Sequence, residues 1–411
     1  MIKKISKISI FFGIFVAIIV LILMLASIID RTTAAFVTAY LGVVIGLIAK
    51  YPPEEPKIEQ KPSKIEQKPS KTKPYKYLII FAIITIILIA SILIINFGNQ
   101  NIEPNPTPTP TPTQVPLSGR AISPENASQV EQIKLIAESA GQLVWSPDGK
   151  WLAMTGYNTE IYDGKTLTHE YTIDTSHSVQ SIVFSPDSTM LIGVGYEGLY
   201  GWNLDGWAEV INRPEVGDAT SLAISPDGKT IATAHIHAVK IWDVGSWNAT
   251  HTLEGGSVTV VAFSPDGNTV AAGGGVAGTQ VILWDVKSGD ELQRLDGHSN
   301  WIRSLAFSPD GKILASGCVD TKIWLWNMNS GSQLRVLTGH TDQVRGVAFS
   351  PDGKILASVS WDLSVRLWNV GNGQELKSLT GHTSWLRSVA FSPDGAMLAS
   401  GTDEVRIWGL P

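Results

Sequence analysis

The 411-residue chain has one cysteine, Cys318. A single thiol cannot close an intrachain disulfide, and it is too little for a structural zinc site, which normally draws four ligands. Charge is scarce as well, at 17% of residues, with a formal net charge of −6. No Gly-x-Ser-x-Gly elbow, phosphate loop or zinc-protease motif is present, so the usual sequence marks of a hydrolase or nucleotide-binding enzyme are missing. What charge there is divides unevenly. Residues 1–97 carry twelve basic and five acidic side chains, net +7, which leaves −13 for residues 98–411. An acidic domain offers no source for the counterion-release attraction that binds proteins to nucleic acid, and no nucleic-acid partner is expected.

Long apolar runs fill the basic part. Residues 8–29 and 78–97 are uncharged and almost wholly apolar, each long enough to cross about 30 Å of hydrocarbon as a helix. Residues 32–49 form a weaker, threonine-softened candidate. Three transmembrane α-helices are therefore expected. A signal peptide is the alternative for the N-terminus, but the first run exceeds an h-region of about 7–15 residues. Orientation follows from lysine. Loop 50–77 contains Lys50 and seven more lysines up to Lys76, whereas residues 98–122 offer only Arg120. Lysine-rich short loops stay cytoplasmic, so the N-terminus and loop 50–77 are placed inside, and everything after the third span outside. The lipid bilayer is thus an expected partner of residues 1–97.

Residues 98–129 read as a Pro/Thr-rich linker. Alternating Pro and Thr from Pro104 to Pro116 removes backbone donors and favours extended polyproline II at about 3.1 Å per residue. It is a spacer.

From residue 130 the chain repeats. Ser-Pro-Asp-Gly begins at Ser146, Ser225, Ser264, Ser308, Ser350 and Ser392, with Ser-Pro-Asp-Ser at Ser185, at spacings of 39–44 residues. Each is followed by an apolar strand and then a second strand ending in an aromatic: Tyr162, Trp202, Trp242, Trp284, Trp326, Trp368 and Trp408. Proline suits the second position of a type I turn and glycine supplies positive φ, so the tetrapeptide reads as hairpin chemistry. Short β-branched strands without a helical period make the region all-β. A four-stranded sheet of about 40 residues cannot bury both faces alone, but seven set radially cover one another. The pattern predicts a seven-bladed β-propeller over residues 130–411. The last unit ends after its third strand, and the orphan strand Gln132 to Ile136 is expected to supply the fourth and close the ring.

Three units contain Gly-His: Gly297-His298, Gly339-His340 and Gly381-His382. Asp320, Asp362 and Asp403 follow these histidines by twenty-one or twenty-two positions, and Trp326, Trp368 and Trp408 end the third strands. On these motifs the region resembles the WD40-repeat family. Ser-Pro-Asp-Gly turns also look like those of TolB-like periplasmic domains, but the Gly-His and Trp-Asp pairs argue for the first. The resemblance implies a hydrogen-bonded Asp, His, Ser and Trp network within a blade, with Ser316, Ser358 and Ser400 as its hydroxyls. Recurrence at the repeat period makes this set structural rather than a hydrolase triad. Units one to four depart from the pattern: His177 lies two residues nearer its turn, and Gly255-Gly256 has no histidine. Looser blades are expected there.

The resemblance also implies a rigid, non-catalytic platform that binds a protein or peptide on the face formed by loops entering the innermost strands. Trp301 and Trp385 precede those strands in units five and seven, Arg303, Arg345 and Arg387 follow in three units, and Trp361 projects from a neighbouring loop. Tryptophan and arginine are enriched among interface hot spots. The alternative for these residues is packing between blades, with arginine capping an indole. For the protein as a whole, the alternative is an extracytoplasmic sensor or enzyme using the propeller as a small-molecule or carbohydrate scaffold. His235 and His237 could be a metal pair but lack an evident third ligand. No cofactor or metal ion is expected.

Overall fold

The computed structural model describes residues 119–411 apart from 137, 176–178 and 276–278. The expected spans 8–29, 32–49 and 78–97, loop 50–77, the linker through residue 118, and His177 lie outside the described residues. Among those described, no helix is long and apolar enough to cross a membrane.

The described residues form twenty-eight strands in seven four-stranded antiparallel sheets. Blades one to six comprise β2–β5 (143–173), β6–β9 (179–213), β10–β13 (221–254), β14–β17 (257–295), β18–β21 (302–337) and β22–β25 (344–379). Blade seven contains β26–β28 (388–409), completed by β1 (Glu131–Ile136). First strands of neighbouring blades pack on one another round the ring, from β2 through β26 and back to β2. They therefore line the axis.

Burial follows from radial stacking. A second strand such as β23 (Ile355–Ser360) is buried at every position because blades cover both its faces, whereas β5 (His169–Ile173), at the outside, is exposed except at its last residue. Continuous apolar runs inside and polar strands outside are the sequence consequence. The hydrophobic core is correspondingly divided into seven layers, each shared by two adjacent blades.

Each repeat turn is held by its own serine and aspartate. In blade five, Ser308 Oγ donates to Asp310 Oδ1 at 2.7 Å and accepts the Ile313 N–H at 2.9 Å, and Gly311 takes φ +70°. The turns also touch. A Cβ on Gly311 would meet Pro265 of the preceding turn at 3.5 Å, and one on Gly149 would meet Pro393 of blade seven. A ring of turns thus runs round one end of the propeller. Nearer the middle of the first strands, side chains bond the next blade's backbone: Ser181 Oγ accepts Leu222 N–H, Ser304 Oγ accepts Val347 N–H, and Ser388 Oγ accepts Leu143 N–H across the closure.

Closure joins the two ends of the domain. β1 pairs antiparallel with β28 (Val405–Gly409), from Glu131 opposite Gly409 to Ile136 opposite Val405. The fold also begins earlier than residue 130, within the expected linker. Ile122 N–H donates to Gly395 O at 2.9 Å, Lys377 Nζ donates to Ser128 O and Val130 O, and Ile122, Ala127 and Val130 are buried in the layer between blades six and seven. Burying Ile122 and Val130 contributes about 1.5–3 kcal/mol each. The chain enters the propeller at the end carrying the repeat turns.

Candidate functional site: the rim opposite the repeat turns

The blade networks determine which polar residues are available at the rim. In blade six, His340 Nδ1 lies 2.8 Å from Asp362 Oδ2 and its Nε2 lies 2.8 Å from Ser358 Oγ, which accepts Trp368 Nε1–H at 2.8 Å. Blade five repeats this with His298, Asp320, Ser316 and Trp326. Nδ1–H donates to the carboxylate, Nε2 pairs with the serine hydroxyl, and the hydroxyl oxygen accepts from the indole. Burial raises the Asp320 carboxyl, but the hydrogen bond and charge of His298 outweigh it and hold it at about 2; Asp362 is likewise held below the usual carboxylate range, with Ser364 adding a donor. Ser316, Ser358 and Ser400 are fully buried, so their hydroxyls are enclosed in the blades.

Blade seven differs from expectation. His382 Nε2 lies 2.8 Å from Ser400 Oγ, which accepts Trp408 Nε1–H. The carboxylate beside His382 Nδ1 is Glu404, at 3.5 Å, and not Asp403. Asp403 is exposed and accepts a hydrogen bond from Ser384 Oγ. Glu404 stands twenty-two positions after His382, as Asp320 and Asp362 stand twenty-two after His298 and His340, and Asp403 is one residue short of that place. Arg406 shares the Glu404 carboxylate, at 3.0 Å. Burial, followed by the Arg406 charge, pushes the His382 pKa down to about 4.

The earlier blades solve the same problem by other means. In blade three, Thr233 Oγ1 accepts Trp242 Nε1–H and lies 2.8 Å from His235 Nε2. His235 therefore completes a three-membered network, and exposed His237 lies across the hairpin tip from it; they are not a pair on one strand face. Blade one fills the serine position with Met154, fully buried against Tyr162. Blade two stacks Tyr200 on Trp202 beside Gly193. These blades are packed with apolar side chains where looseness was expected. Blade four has Ala272 at the serine position and Gly256 at the histidine position, leaving a cavity of about 170 Å³ bordered by Trp284, Gln280 and Arg294.

Ligand atoms of His298, Cys318 and Asp320 lie within 4.8 Å of one another. Cys318 Sγ accepts the Asp320 N–H as Ser360 Oγ accepts the Asp362 N–H in blade six, so the thiol replaces a hydroxyl. Burial pushes its pKa up to about 12, and both His298 nitrogens are engaged.

The rim itself is built on bulges. Five residues before each turn serine stand Gly141, Gln180, Thr220, Thr259, Arg303, Arg345 and Arg387. Pairing slips by one residue between Ile302 and Ser304 and between Val344 and Gly346, so Arg303 and Arg345 are the extra residues of β-bulges. A bulge takes its residue out of the ladder and re-aims its side chain. Arg387 lies one residue before β26 (Ser388–Phe391).

Aromatic rings lie under two of these cations. Arg303 Cζ is 4.4 Å from the Trp301 ring centre and Arg345 Cζ is 4.8 Å from that of Trp361. Trp361 stacks on Trp385 at 4.7 Å and 15°. Trp301 serves packing, since its ring occupies the space over Gly275 of blade four, where a Cβ would clash with the indole. Trp385 is different: it is 55% exposed. Burial, and then the charges of Arg303 and Arg387, lower the Arg345 pKa to about 10.

Sequence reading missed three features of this end. Tyr157, Tyr196 and Ile236 sit at the tips between second and third strands of blades one to three, each more than half exposed. Their signal was a large apolar residue inside a polar turn at the repeat offset.

Residues 247–285, 289–327, 331–369 and 373–408 match the WD40 family, described as WD domain, G-beta repeat. The described residues form a seven-bladed β-propeller, four segments of which match WD40 repeats. Each matched segment runs from the outer strand of one blade through the third strand of the next, and none covers blades one and two, where the network is absent. No curated protein matches the chain.

Proposed function

We propose that the protein is a membrane-anchored, non-catalytic scaffold whose propeller, outside the cytoplasm, captures a protein or peptide partner on the rim formed by Trp361, Trp385, Arg303, Arg345 and Arg387, with Trp301 packed beneath Arg303. WD40 repeats commonly serve protein interaction, which supports the class. The apolar runs of residues 1–97 and the lysine contrast across the third run support the anchor and its orientation. One observation carries the binding site: Trp385 is exposed while stacked on half-buried Trp361, over which Arg345 lies, and an exposed indole beside a guanidinium group is the composition of interface hot spots.

The test compares the full chain in detergent with its Trp385→Ala variant for capture of partners from a membrane extract. Retention of one protein by the wild type, its loss with Trp385→Ala and an unchanged unfolding midpoint are expected. Capture that is indifferent to the substitution removes the rim from the proposal. Turnover of a small substrate would favour the sensor or enzyme reading. Protease added to intact cells should remove the repeats; their protection would overturn the topology.

A further inference from the structure

Three cations at repeat-equivalent positions on adjacent blades form a feature that packing does not require. The other four blades carry Gly141, Gln180, Thr220 and Thr259 at that level, and there Thr220 and Thr259 bond the next blade's backbone. Neutral residues thus serve the joint between first strands. Arg303, Arg345 and Arg387 have no acidic partner among the described residues, and the Arg303 Nε is buried without an acceptor. Arg303 and Arg345 each lie over an indole. A guanidinium stacked by its face keeps its in-plane N–H groups free, in the fork geometry that matches a carboxylate.

We propose that Arg303, Arg345 and Arg387 form a carboxylate cradle, and that the partner segment is a peptide with two or more closely spaced Asp or Glu side chains whose neighbouring residue lies on Trp385. This rests on the rim-binding reading above and adds the chemistry that the rim selects. One carboxylate cannot neutralise three guanidinium groups; a short acidic cluster can. The charge is also confined to blades five to seven, while the opposite arc offers the apolar tips Tyr157, Tyr196 and Ile236. A ligand with charge at one end and apolar side chains beyond it fits that division. A polyuronate, charged at every unit, would lay carboxylates over an arc with no counter-charge.

The test is selection of random twelve-residue displayed peptides on the full chain in detergent, followed by affinity measurement on variants. Selected peptides should be enriched in Asp and Glu over Asn and Gln. Their binding should weaken at least tenfold with Arg345→Gln and with exposed Arg387→Gln, recover in part with Arg345→Lys, and fall steeply with salt. Arg387→Gln should leave the unfolding temperature unchanged, which separates binding from folding. Peptides that depend on Trp385 but show no acidic excess overturn the cradle and leave the rim reading standing. Peptides indifferent to Trp385→Ala, or no retained peptide, overturn both. Tighter binding of oligogalacturonate than of any selected acidic peptide overturns the peptide assignment.

Discussion

At the scale of single residues, the same histidine meets different electrostatics in different blades. His340 faces an aspartate engaged at 2.8 Å, whereas His382 faces a glutamate that Arg406 also holds. With its pKa at about 4 against an ordinary 6.5, His382 stays neutral in the folded protein over a range where the unfolded chain binds a proton. Its contribution is therefore complete above about pH 6.5 and is lost as pH falls toward 4, by roughly 3 kcal/mol at ~1.36 kcal/mol per unit. Urea titrations at a series of pH values should show this loss, and His382→Gln should flatten it. Asp320 acts lower on the scale. Its stabilisation is present above the ordinary 3.8 and disappears as pH falls through about 2. Glu404 was legible as the partner of His382, since it lies twenty-two positions on like Asp320 and Asp362; preferring an aspartate led instead to Asp403, at twenty-one.

At the scale of the element, a blade is a polar network sealed between two apolar layers. Ser358 Oγ serves both His340 Nε2 and Trp368 Nε1, so Ser358→Ala leaves buried groups without partners. A loss of about 1–3 kcal/mol per orphaned group is expected, measured by chemical unfolding. Blade four provides the reverse case. A Cβ added to Gly255 would meet Trp284 Cη2 at 3.0 Å, as one added to Gly339 would meet Trp368 Cη2 at 3.1 Å, so the two indoles have the same seat. Ala272→Ser should offer Trp284 Nε1 the acceptor that Ser358 offers Trp368, and stabilise by about 0.5–1.5 kcal/mol; destabilisation would show that the indole is oriented differently. Strand burial, turn chemistry and the third-strand aromatics were readable from the repeat because they answer to local geometry. His235 was not. It reaches Thr233 from a hairpin tip rather than from the loop that carries His298, His340 and His382.

At the scale of the whole molecule, stability depends on a joint between chain ends. Seven shared core layers require seven complete blades, and the seventh lacks an outer strand until β1 pairs with β28. Removing residues 130–138 deletes that strand and opens the ring between blades seven and one, so cooperative thermal unfolding should disappear; an unchanged transition would show that closure lies elsewhere. Sequence by itself determined the all-β class, the number of blades, the turn at each Ser-Pro-Asp-Gly and the orphan strand, because each follows from periodicity and from residues constrained by their own neighbours. Tertiary structure decided the rest: that the fold reaches back to Ile122, that Trp301 is committed to Gly275 while Trp385 is open, and that three arginines at equivalent places on successive blades have no acidic partner among the described residues. Those properties depend on which groups from distant repeats meet around the axis, and spacing along a chain does not specify what stands on the opposite side of a contact.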